Sequence, residues 1–67
     1  MKDQWTKIYS SNYIHKVEIA QAYLESSNIE SVIVNKQDSN YFFGEIELHV
    51  NVDQAMEANQ ILSKQEL

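Results

Sequence analysis

The stretch 13–34, YIHKVEIAQAYLESSNIESVIV, constrains the fold most, because an amphipathic helix in it turns directly into an apolar strand. At about 100° per residue, Ile19, Tyr23, Ser27, Ala20, Tyr13, Leu24 and Val17 fall on one arc, interrupted by Lys16. Glu18, Gln21 and Glu25 lie opposite. The Ser26-Ser27-Asn28 turn must end the helix, and Asn tolerates the left-handed conformation that a C-terminal cap requires. Ile29, Val32, Ile33 and Val34 then supply β-branched residues of strand character.

The chain has 67 residues, which allow a single domain, 1–67, with a small core. Such a chain buries only about 60% of its unfolded surface, so its stability is marginal. The sequence has no Cys, which excludes disulfides and thiolate metal sites and leaves association as the remaining way to gain stability. No Pro and one Gly argue against a linker or low-complexity tail. The net charge of −5 is not offset by any local Lys cluster, so no nucleic-acid partner is expected. No apolar run serves as a signal sequence or membrane span, so the expected setting is cytoplasmic, without a membrane partner.

Around the helix-strand unit the rest of the chain falls into place. WTKIY, residues 5–9, is the first strand candidate; alternation puts Trp5, Lys7 and Tyr9 on one side and Thr6 and Ile8 on the other. Ser10, Ser11 and Asn12 favour a helix start at about Tyr13. The polar stretch 37–40 and the aromatics Tyr41, Phe42 and Phe43 lead to Gly44. Residues 45–50, EIELHV, then alternate cleanly, with Ile46, Leu48 and Val50 on one face and Glu45, Glu47 and His49 on the other. This is the pattern of a sheet covered on one side. Asn51 and Gln54 have capping-box spacing before a second helix, in which Ala55, Ala58, Ile61 and Leu62 share a face.

The order is β-α-β-β-α, an α+β chain. A parallel βαβ unit with room for a strand between its members gives a split, ferredoxin-like three-stranded sheet in order 1-3-2, with both helices on one face.

The sequence resembles small bacterial signal-transducing domains of the PII-like, ferredoxin-fold group. The resemblance rests on Ile8-Tyr9, Glu18 ahead of Tyr23-Leu24-Glu25, and Asn28-Ile29 where the family usually has Gly-Ile. It continues through Gly44 before residues 46–50 (IELHV) and through Asp53, Ala55 and Ala58. These are fold motifs covering nearly the whole chain, and none is catalytic. The resemblance implies a regulatory role, and the residues themselves lead to the expectation of no cofactor and no enzymatic activity.

The residues themselves point the same way. Glu45, Glu47 and His49 have i, i+2, i+4 spacing, but neighbours on a strand face stand about 7 Å apart, too far to share an ion unaided. A solvated face explains them, and solvent exposure explains His15 beside Glu18. No elbow or Gly-rich loop supports a nucleophile or a phosphate cradle. If Ile8, Ile29, Ile33, Ile46, Leu48 and Val50 face the helices, then Trp5, Lys7, Tyr9, Val32, Val34, Glu47 and His49 lie on the uncovered face. An aromatic patch there marks an interaction surface. In the opposite strand register, Trp5 and Tyr9 enter the core instead. Tyr41, Phe42 and Phe43 plug the bottom of the core or form a lip beside the patch. The expected function is a non-catalytic regulatory or interaction module, dimeric or binding a protein partner or small ligand. The alternative is an assembly protein that self-associates by strand addition.

Overall fold

The computed structural model of the chain describes residues 4–37 and 44–65. Strand β1 (Trp5–Ser11) leads into helix α1 (Ile14–Glu25) and strand β2 (Ser31–Asn35). Strand β3 (Ile46–Asn51) follows, and a 3-10 turn (Val52–Gln54) opens helix α2 (Ala55–Ser63). The sheet order is β1-β3-β2, with β3 antiparallel to both neighbours. The outer strands are therefore parallel to each other, joined by the crossover helix that such a pair requires. This is the expected ferredoxin-like α+β arrangement.

The helices form one layer over the sheet. β3 buries Ile46, Leu48 and Val50 against Val17, Ala20 and Leu24 of α1 and Ala58 and Leu62 of α2. The small side chain of Ala58 is wholly buried, which lets α2 lie close to the strands.

Helix α1 ends on Asn28, whose φ of 64° is left-handed. Two hydrogen bonds close the cap: Asn28 N–H to the Glu25 carbonyl at 3.0 Å and Ile29 N–H to the Leu24 carbonyl at 2.9 Å. The side chains of Leu24 and Ile29 are both buried beneath this turn, so the cap and the core form together.

Two expectations are corrected. The apolar arc of α1 is only partly covered: Val17, Ala20 and Leu24 are buried, but Tyr13, Ile19 and Tyr23 are exposed. A helix lying on a sheet loses only one stripe to the core, and the nine residues of α2 do not reach the rest of the arc. The first strand also runs further than expected, to Ser11, which delays the helix by one residue. Ser11 Oγ then accepts a hydrogen bond from Tyr13 N–H at 3.0 Å. Downstream, Asn51 Oδ1 caps the 3-10 turn by accepting from Asp53 N–H at 3.0 Å.

Candidate functional site

The face of the sheet away from the helices takes its layout from strand register. Lys7, His49 and Val32 stand in one row across β1, β3 and β2; Ser10, Glu47 and Val34 stand in the next. Trp5 stands opposite Asn51. Trp5, Val32, Val34 and His49 together line a shallow depression of about 310 Å³. The rings and branched side chains give this depression an apolar floor, and Trp5 and Val32 remain 40% and 42% exposed.

Tyr9 is not part of this face, contrary to the alternation read from the sequence. The ladder between β1 and β3 shifts between Lys7 and Tyr9, leaving Ile8 as an extra residue. Such a bulge reverses the side-chain parity beyond it. Tyr9 therefore stands opposite the buried Leu48 and packs, with Ile8, against the core. Of the two aromatics placed together by sequence, Trp5 is on the open face and Tyr9 is under the helices.

Beside the depression, Glu47 gathers three basic side chains. His49 Nε2 is 2.9 Å from Glu47 Oε1. An ionised carboxylate only accepts, so the imidazole nitrogen is the donor. Lys36 Nζ is 3.5 Å from Oε1, and Lys7 Nζ is 3.9 Å from Oε2. The Glu47 side chain is 13% exposed, whereas those of Lys7 and Lys36 are 49% and 60% exposed. The carboxylate is thus shielded while both ammonium groups still reach solvent. The His49 hydrogen bond lowers the Glu47 pKa, partial desolvation opposes this, and the charges of Lys36 and Lys7 lower it further. Two of the chain's five basic Lys and Arg residues thus meet at one carboxylate on the central strand.

Glu47 and His49 are therefore not held apart by the strand spacing; their side chains lean together into hydrogen-bond contact. Lys7 pairs with Glu47 within the one chain. Lys36 escaped sequence reasoning because it follows β2, and only the pairing of β2 with β3 brings it to Glu47. Its N–H extends that ladder by donating to the Glu45 carbonyl at 3.1 Å. Among the described residues, no group of three or more His, Cys, Asp or Glu side chains is placed to hold a metal ion. His15 is exposed, with Nδ1 3.8 Å from Glu18 Oε1. Tyr41, Phe42 and Phe43 lie outside the described residues. Among the described residues, no helix is long and apolar enough to cross a membrane.

A family model described as "Putative prokaryotic signal transducing protein" matches residues 5–66. No match was found to a curated protein or to a solved structure.

Proposed function

Because the chain belongs to this prokaryotic signal-transducing family, we propose that it acts as a cytoplasmic, non-catalytic regulatory module that recognises a protein partner through its open sheet face. The observation that carries this reading is the apolar depression of Trp5, Val32 and Val34 beside the Glu47 cluster. An aromatic anchor with a charged rim is the arrangement that concentrates binding energy in a small contact. Lys7 and Lys36 reach solvent at that rim and suit acidic or carbonyl groups on the partner. The depression is open, so it suits a protruding side chain better than an enclosed ligand.

The face is small. Three strands of five to seven residues present about 300 Å², whereas a stable interface takes about 800 Å² from each partner. The contact is therefore expected to be weak and reversible, as suits a regulator. A second copy of the chain is the competing occupant, with Trp5 of each meeting the apolar patch of the other.

Affinity capture from the native lysate tests the reading, using wild type, Trp5→Ala and Val32→Glu. A partner held by wild type and lost from both variants supports it; equal capture by all three contradicts it. Sedimentation at about 100 μM separates the second copy: a dimer that Trp5→Ala dissolves assigns the face to self-association.

A further inference from the structure

We infer that the outer edge of β1, under the overhanging flank of α2, is a groove that accepts one extended segment of another protein as a fourth strand. This surface is distinct from the open face and does not depend on it.

The helix layer and the sheet differ in width. Three strands spaced about 4.8 Å apart make a sheet about 14 Å wide. Two helices of about 10 Å diameter cover about 20 Å. The helix layer is therefore wider than the sheet by about one strand. The excess lies on the β1 side, because α2 packs on β1 and β3 while α1 spans all three strands.

The side chains on that flank fit this reading. Val52, Ala55 and Met56 line its first half, and Asn59, Gln60 and Ser63 its second. Asn59 and Ser63 continue into a groove shared with Ile8, Tyr9 and Leu62, which joins the flank to β1. Val52 is 48% exposed and Met56 76%, apolar surface that the described residues leave uncovered.

The backbone of β1 is poised to pair. Val52 N–H donates to the Gln4 carbonyl at 2.8 Å, and Thr6 stands opposite Val50. Polar groups alternate along an antiparallel strand, so Gln4 and Thr6 address β3 while Trp5 and Lys7 turn their N–H and C=O to the outer edge, which no described residue pairs.

The same widths decide the occupant. Two copies joined β1 to β1 would place four helices, about 40 Å wide, over six strands of about 29 Å, so the two α2 helices would collide. One inserted strand per domain fits. The segment that suits the flank is five or six residues long and apolar at alternate positions. Basic flanking residues would favour its encounter with a chain of net charge −5.

The probe is a synthetic peptide, Lys-Val-Thr-Val-Thr-Val-Lys, added to the full ¹⁵N-labelled chain. At millimolar peptide, the Trp5 and Lys7 amides should exchange with solvent at least tenfold more slowly, and the Val52, Met56 and Asn59 signals should shift. Met56→Lys, at a site too exposed to disturb the fold, should weaken binding at least tenfold, while Val32→Glu should leave it unchanged. Unaltered exchange at Trp5 and Lys7 would overturn the inference, as would shifts confined to β2 or the open face, or equal affinity for Met56→Lys. Protection of those two amides that grows with chain concentration alone would assign the edge to a second copy and overturn it too.

Discussion

Trp5 and Tyr9, four residues apart on one strand, face opposite sides of the sheet, because Ile8 is an extra residue between the pairs Lys7–His49 and Tyr9–Leu48. The bulge assigns one aromatic to the surface and the other to the core, and the two should respond differently to truncation. Tyr9→Ala should cost about 2–3 kcal/mol of stability, since its ring packs among core residues. Trp5→Ala should cost under about 1 kcal/mol. Denaturant melts of the two variants check this, and equal losses would mean that the bulge is misplaced.

Much of this fold can be read from particular residues. The alternation of residues 45–50 identifies the central strand and its buried face, and Asn28 marks the left-handed end of α1. The bulge at Ile8 carries no Gly or Pro in WTKIYSS, and the adjacent apolar pair Ile8-Tyr9, which packs together against the core, is its only mark in the sequence. The exposure of Ile19 and Tyr23 is hidden for another reason. Periodicity reports which residues share a helix face, but not how much of that face the neighbouring layer covers. Lys36 joins Glu47 only through the pairing of β2 with β3, which local pattern cannot register.

Leu24 is wholly buried, and its carbonyl closes the cap of α1. Leu24→Ala should cost about 2–4 kcal/mol through lost burial and the cavity left behind. At Asn28, Gly should be neutral or slightly stabilising, and Ala should cost about 1 kcal/mol, because only the latter opposes a positive φ. Thermal and denaturant unfolding of the three variants gives the ranking.

Gly44 has a φ of 96°, and a Cβ there would stand 2.5 Å from the Lys36 carbonyl oxygen. Gly44→Ala therefore meets both backbone strain and a clash with backbone that cannot swing aside. A loss of about 2 kcal/mol or more is expected. A loss below about 0.5 kcal/mol would show that the entry to β3 has a different conformation.

The lowered Glu47 pKa ties stability to pH. A carboxyl with a folded pKa below its unfolded one, about 4.3 for Glu, stabilises the fold above that unfolded value. The contribution is lost as pH falls through the folded pKa. Melting temperature should therefore drop on the acid side of about pH 4.3, and Glu47→Gln should make that drop shallower. An identical acid profile for the variant would separate Glu47 from the effect.

The central claim, recognition through the open sheet face, is tested most directly by cross-saturation NMR on the deuterated, ¹⁵N-labelled chain bound to its captured partner. Saturating the partner should attenuate the amide signals of Trp5, Lys7, Val32, Val34, Glu47 and His49. Attenuation concentrated instead on α1, around Ile19 and Tyr23, would contradict the account.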